Sequence, residues 1–262
     1  MKIPFYKYHG TGNDFIIIDN RRFKWNPEKQ QVAFLCDRHF GIGADGLIFL
    51  TESDGYDFGM TYFNSDGNES SMCGNGGRCL TAFAHSCGLI ADSAYFNAID
   101  GEHWSKIIDI RNGLMQIRLK MKDVSLDEPM NEAFFLDTGS PHYVLFKENI
   151  DEINIVSEAR KIRYNRKFAE HGTNVDFAEI REDHIYVRTY ERGVEDETLS
   201  CGTGITASAV AAAFKIPGNP DHIKIRTKGG ELMVYFKKKA EHFTDIWLEG
   251  PAKFVFMGEI EI

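Results

Sequence analysis

Two cysteines open the same short pattern: "CGNG" begins at Cys73 and "CGTG" at Cys201. Each leads into a stretch that reads as a helix, "RCLTAFAHSC" in one case and "ITASAVAAAF" in the other. A thiol at the mouth of a helix lies among unpaired N–H groups and a partial positive charge. That setting is expected to lower a cysteine pKa from about 8.5 toward neutrality. The glycines that follow, Gly74 and Gly76, Gly202 and Gly204, let the backbone approach a ligand closely. Donors so placed suit a carboxylate. Two such thiols facing each other across a pocket would have a use. One thiolate removes a proton from a carbon beside a carboxylate, and the other thiol returns a proton to the opposite face. The stereocentre is inverted. Charge in the intermediate falls on the carboxylate oxygens, where each well-placed donor is worth about 3–4 kcal/mol.

Other thiol chemistry fits less well. There are five cysteines, and with no secretion signal they are expected to be free thiols rather than a disulfide framework. Cys36, Cys79 and Cys87 fall in helical segments and read as small packing residues. No Cys-x-x-Cys pair occurs, which argues against zinc and against a disulfide-exchange enzyme. "GIGADG" at 41–46 matches Gly-x-Gly-x-x-Gly, but an apolar strand follows it, where a dinucleotide fold needs a helix. The net charge of −9 excludes nucleic acid as an expected partner. "MKIPFYKYHG" has no apolar run suited to a signal peptide, and no stretch approaches the roughly 18–20 apolar residues of a membrane span. A cytoplasmic protein with no membrane partner is expected.

The elements that must hold these thiols come in two similar series. Helix signals at "NPEKQQVAFLCDR", with Asn26 as N-cap and Pro27 in the first turn, precede strands "GLIFLTE" and "YDFGMTYFN" and the first cysteine turn. A helix at "IVSEARKIRY" precedes strands "NVDFAEI" and "HIYVRTYER" and the second turn. Strands close both series. "HGTGNDF" at 9–15 and "HGTNVDF" at 171–177 read as traces of an internal duplication. Ala207, Ala209, Ala211, Ala212 and Ala213 leave one helix too little polar surface for the outside. The expected fold is α+β: two pseudo-symmetric domains, each a curved, barrel-like sheet around a central helix, with the active site in the cleft between them. The domains are expected at 1–121 and 133–251, with polar 122–132 as the boundary and 252–262 returning to the first sheet.

With both turns in view, the chain resembles the diaminopimelate epimerases, cofactor-independent enzymes that interconvert LL- and meso-diaminopimelate. "HGTGNDFIIID", "RHFGIGADGLI", "YFNSDGNESSMCGNGGRC", "TGSPHYV", "GTNVDFAEI" and "TYERGVEDETLSCGTGITASA" occur in that family's order. Proline racemases share the two-cysteine layout but typically carry His where Asn75 stands. The resemblance implies that Cys73 and Cys201 are the acid/base thiols, tuned by His142 and Glu191. It implies that Gly74, Asn75, Gly202 and Thr203 bind the reacting carboxylate, while Asn13, Asn64, Asn174, Glu191 and Arg192 fix the substrate's polar ends. Spacing agrees, since Asn64 precedes Cys73 and Arg192 precedes Cys201 by the same interval. Two positions depart from many relatives: Ser140 stands where Asn is common, and Gly46 where some carry Gln. The resemblance also implies a homodimer, no cofactor, no metal, and a place in lysine and peptidoglycan precursor synthesis. A rival reading makes Cys73 and Cys201 a reversible redox disulfide; another keeps the reaction and changes the amino acid.

Overall fold

A helix without a polar face can be stable only if something surrounds it, and each half of this chain supplies one such helix and the strands to enclose it. The computed structural model describes residues 2–126 and 133–261. Of the stretch 122–132 read as a boundary, 127–132 lie outside the described residues, as do the two end positions of the expected domains. The chain divides into two compact units, Met1–Leu119 with Gly250–Ile262, and Lys120–Glu249.

The first unit contains β1 (Lys2–Gly10), β2 (Asn13–Asp19), α1 (Lys29–Cys36), β3 (Gly46–Thr51), β4 (Phe58–Asn64), β5 (Glu69–Ser70), α2 (Gly74–Ser86), β6 (Ser93–Ala98), β7 (Gly101–Arg111) and β8 (Leu114–Lys120). The second contains β9 (Val124–Ser125), β10 (Ala133–Asp137), β11 (Pro141–Phe146), α3 (Ile155–Arg163), β12 (Asn174–Ile180), β13 (Ile185–Glu191), β14 (Asp196–Thr198), α4 (Gly202–Lys215), β15 (His222–Thr227) and β16 (Gly230–Lys239). The long β17 (His242–Glu261) begins in the second unit and ends in the first.

Pairing follows one scheme twice. β1–β2 is antiparallel, β2–β3 parallel, β3–β4 antiparallel, β4–β6 parallel, and β6–β7 and β7–β8 antiparallel. The same senses recur through β10, β11, β12, β13, β15, β16 and the start of β17. In the first unit the last part of β17 pairs with both β8 and β1, closing a barrel of eight strands. In the second, β9 pairs with the start of β17. Each series of strands therefore ends by running into the other unit: β8 leads to β9, and the first part of β17 leads to its second.

α1 and α3 are the crossovers that the parallel pairs β2–β3 and β11–β12 require. Val32 and Leu35 of α1 pack with Ile16 and Leu47, and Ile155 and Ala159 of α3 pack with Val175 and Phe177. α2 and α4 lie inside their sheets. Ala207, Ala209, Ala211, Ala212 and Ala213 have no exposed surface, so small side chains let strands approach α4 from all sides. Gly88 takes φ +69 just past α2 and ends it.

Three local expectations are corrected. α1 is capped by Glu28 rather than Asn26, because Glu28 and Gln31 form a reciprocal capping box. Cys87 is exposed at the end of α2, not packed, since the helix stops one residue before it. The repeated "HGT" wording does not mark equivalent places: it joins β1 to β2 in one unit but leads into β12, the counterpart of β3, in the other. The duplication is real in strand order, and that wording does not carry it.

Candidate active site

Cys73 and Cys201 are the N-caps of the two enclosed helices, each in extended backbone conformation. Their carbonyls accept the first intrahelical bonds, from Gly77 N–H at 2.7 Å and Ile205 N–H at 2.9 Å. Gly74 with Asn75, and Gly202 with Thr203, therefore occupy the first helical positions, where backbone N–H groups have no partner within the helix. All five cysteines are free thiols.

In the first unit the Cys73 thiol points to Asn13 Oδ1, 3.6 Å away, and Asn75 Nδ2 donates to the same oxygen at 3.1 Å. Asn13 is held from behind by Nδ2 donating to Asp45 Oδ2 at 2.7 Å. Arg38 binds both Asp14 and Asp45 at 2.7 Å, and Lys7 pairs with Asp14 at 2.7 Å. Those two cations hold the Asp14 carboxyl down at about 2, against burial that pushes it up. Asn64 is not bonded into this group; it ends β4 opposite Gly46. A side chain at Gly46 would run into the Tyr62 ring at 2.5 Å, so the glycine here makes room for an aromatic neighbour.

In the second unit a chain of hydrogen bonds runs inward from the thiol. Cys201 Sγ lies 3.4 Å from Thr203 Oγ1, which lies 2.8 Å from His142 Nε2, and His142 Nδ1 lies 2.7 Å from Asp176 Oδ2. A carboxylate accepts, so Nδ1 carries the imidazole hydrogen and Nε2 accepts from the Thr203 hydroxyl and, at 3.3 Å, from Asn174 Nδ2. Thr189 donates to the other Asp176 oxygen at 2.7 Å. His142 and Asp176 are wholly buried. The histidine thus reaches Cys201 through a hydroxyl, not directly. Asn174 Nδ2 also donates to Ser140 Oγ at 2.8 Å. Asn174 Oδ1 accepts from Arg192 N–H at 2.8 Å, and the Arg192 guanidinium donates to the His171 carbonyl at 2.8 Å. Glu191 ends β13.

One expectation about this chemistry changes. Cys201 does not have a lowered pKa: burial pushes the thiol up, and the negative charges of Glu191 and Asp176 push further, against the Thr203 hydroxyl and the Gly204 N–H. The second glycine of each turn makes room for the protein's own side chains. A Cβ on Gly204 would lie 2.4 Å from Asp176 Oδ1, and one on Gly76 would meet Ile48 at 3.0 Å. Asp176, Thr189, Asp45 and Arg38 were not singled out from the sequence. Asp176 had a signal, an acid inside the apolar strand "NVDFAEI". Among the described residues no group of His, Cys, Asp and Glu side chains is placed to hold a metal ion, and no helix is long and apolar enough to cross a membrane.

Buried thiols make stability depend on pH. Burial pushes Cys36 up to about 12 and raises Cys79 as well as Cys201. A folded-state pKa above the unfolded one gives stability that is complete below the unfolded value, about 8.5. It is lost as pH rises toward the folded value, by about 1.4 kcal/mol per pH unit for each thiol. Urea unfolding at a series of alkaline pH values should show a midpoint that falls steadily; a flat midpoint would contradict this account.

The family model for diaminopimelate epimerase matches residues 5–125 and 134–255. The chain is 49% identical over 255 residues to the diaminopimelate epimerase of Flavobacterium psychrophilum, covering 96% of this chain and 97% of that one. It is 41% identical to the diaminopimelate epimerase of Chlorobaculum tepidum, covering 97% and 99%. Among solved structures, a PhzF-family phenazine biosynthesis protein of Bacillus anthracis superposes with a TM-score of 0.79 at 17% identity over the whole of both chains. A probable proline racemase of Agrobacterium radiobacter gives 0.74 at 15% identity, covering 99% of this chain and 93% of that one. Those two likenesses speak for the fold. With enclosed helices capped by cysteine in both units and sequence identity this high over nearly the full length, the chain belongs to the diaminopimelate epimerase family and is an isomerase, a PLP-independent epimerase of lysine biosynthesis.

Proposed function

We propose that this protein interconverts LL- and meso-diaminopimelate by a two-base mechanism in which Cys73 and Cys201 are the base and the acid. The observation that supports it most is that each enclosed helix begins on a cysteine, at the helix end whose N–H groups lack partners within the helix. The thiolate takes the α-proton, and the electron pair of the broken C–H bond moves into the carboxylate. The thiol on the other side then gives its proton to carbon and becomes a thiolate. No electron leaves the pair of reactants, so the chemistry needs no redox partner.

Gly74, Asn75, Gly202 and Thr203 offer donors to the reacting carboxylate, whose charge grows as the proton leaves. Asn13, Asn64, Asn174, Glu191 and Arg192 hold the remaining ammonium and carboxylate groups, a guanidinium fork suiting the distal carboxylate. His142 and Glu191 set the protonation of Cys201: burial beside Glu191 and Asp176 favours the thiol, while Thr203 and His142 offer a route for its proton. Peptidoglycan precursor synthesis and assembly as a homodimer belong to the same proposal. Incubation of reduced protein with LL-diaminopimelate in D₂O should yield the meso isomer with deuterium at the α-carbon, without added cofactor. Formation of meso product without solvent label would sink the proton-exchange mechanism.

A further inference from the structure

The turn that carries Arg192 is fastened by a carboxylate that the mechanism above leaves without a task. Glu195 N–H donates to the Glu191 carbonyl at 2.8 Å, closing a tight turn between β13 and β14 with Arg192 at its start. Glu195 takes φ +59, a left-handed conformation uncommon in a residue with a side chain. Such backbone persists only where its surroundings over-determine it. Here the carboxylate supplies the constraint. Oε1 accepts from the Gly193 N–H at 3.2 Å and from Arg163 at 3.3 Å. Oε2 accepts from the Tyr164 hydroxyl at 2.6 Å and from the Tyr190 hydroxyl at 2.9 Å. Burial would push this carboxyl up, but the Tyr164 hydroxyl, the Gly193 N–H, the Tyr190 hydroxyl and the Arg163 charge outweigh it.

These donors come from two elements. Tyr190 belongs to β13 and is wholly buried, while Arg163 ends α3 and Tyr164 caps it. Glu195 therefore ties the turn to the end of α3. Arg192 meets that helix end a second time. A Cβ on Gly172 would lie 2.7 Å from Arg163 Cζ and 2.8 Å from Arg192 Cδ, so the two cationic side chains converge on one glycine. Like charges packed together repel, and Glu195 offsets one of them by pairing with Arg163. Among the described residues Arg192 donates to the Asn174 amide oxygen and to the His171 carbonyl, each at 2.8 Å, and forms no ion pair. Its main chain and its side chain are both held, and its charge is left for a ligand.

We propose that Glu195 is a positioning residue for substrate binding: by tying the β13–β14 turn to α3 and neutralising Arg163, it presents the Arg192 guanidinium to the substrate's distal carboxylate. Tyr164 and Tyr190 serve the same end, since their hydroxyls complete the seat of the carboxylate. The bonds of the Glu195 side chain lead to α3, to β13 and to its own turn, and none leads to Cys201. Its effect therefore falls on how tightly the distal end is held and not on proton transfer at the α-carbon.

This inference rests on reading Arg192 as the binder of the distal carboxylate, and its test separates the two. The full chain, reduced, is assayed with LL-diaminopimelate as Glu195→Gly, as Arg192→Gln and as the double variant. Glycine takes left-handed backbone freely, so Glu195→Gly removes the carboxylate without adding strain. It should raise KM by about tenfold while kcat changes by less than about threefold. Arg192→Gln should raise KM at least as much, and the double variant no further, because Glu195 acts through Arg192. An unchanged KM in Glu195→Gly, a loss confined to kcat, or effects that multiply in the double variant overturn the inference and leave the reading of Arg192 standing. An unchanged KM in Arg192→Gln sinks that reading, and the inference with it. Should Glu195→Gly fail to fold, Tyr164→Phe decides, since it takes only an exposed hydroxyl from the carboxylate. A rise in KM that vanishes in the Arg192→Gln background supports the role of Glu195, and no rise refutes it.

Discussion

Cys201→Ala should abolish epimerisation while leaving the protein folded and able to bind substrate. Alanine can neither give nor take a proton, and an acid/base group contributes about 10²–10⁴-fold in rate. The loss here goes further. Inversion needs a proton delivered to the face opposite the one it left, and a single remaining thiol can return it only to the side it came from. Cys73→Ala should have the same outcome for the same reason. Cys201→Ser keeps the shape and the bond to Thr203 but presents a far weaker acid, so residual turnover should be small. Stability changes little, about 1 kcal/mol, because only one sulfur is removed. Chiral chromatography of the product together with thermal melting checks all three variants. Turnover persisting in either alanine variant would mean that another group supplies the second proton.

Asp176→Ala should be the most damaging single change away from the thiols. Asp176 accepts from His142 and from Thr189, each at 2.7 Å, at a position with no exposed surface. Its removal orphans two buried donors at about 1–3 kcal/mol each, so urea unfolding should show a loss of about 2–6 kcal/mol. Asp176→Asn separates stability from chemistry. The amide is nearly isosteric, but if its NH₂ meets His142, Nδ1 must accept and Nε2 must carry the hydrogen. The Thr203 hydroxyl is then forced to accept from His142 rather than donate to it. Turnover should fall by at least about tenfold while most of the stability is kept. An Asp176→Asn protein with unchanged turnover would show that the direction of this chain does not matter to Cys201.

Strand order and the enclosed helices were legible in the sequence because they follow from local patterns. Runs such as "FIIID" and "GLIFL", and the alanines of α4, state their burial directly. Cys73 and Cys201 were legible for a similar reason, since a glycine turn before a helix fixes the N-cap. Asp176 and Arg38 were not, because their roles depend on which strands lie side by side. Asp176 meets His142 only through the parallel pairing of β11 with β12, and no local pattern announces a register. The pKa of Cys201 was misread for a related cause. The helix end is visible in sequence, whereas the burial and the two carboxylates that outweigh it are brought by β12 and β13. Glu195 stood in plain view between Val194 and Asp196, but the donors that meet its carboxylate could be known only once α3 was laid beside β13.

The exchange of end strands sets a timetable for biosynthesis. The barrel around Cys73 needs the last part of β17 between β8 and β1, and that segment leaves the ribosome after everything else described here. Until then β1 and β8 present bare edges open to wrong pairing, even though all the other strands of that barrel were made first. The second unit has its strands in hand by Glu249, so the half synthesised later is the one able to finish folding earlier.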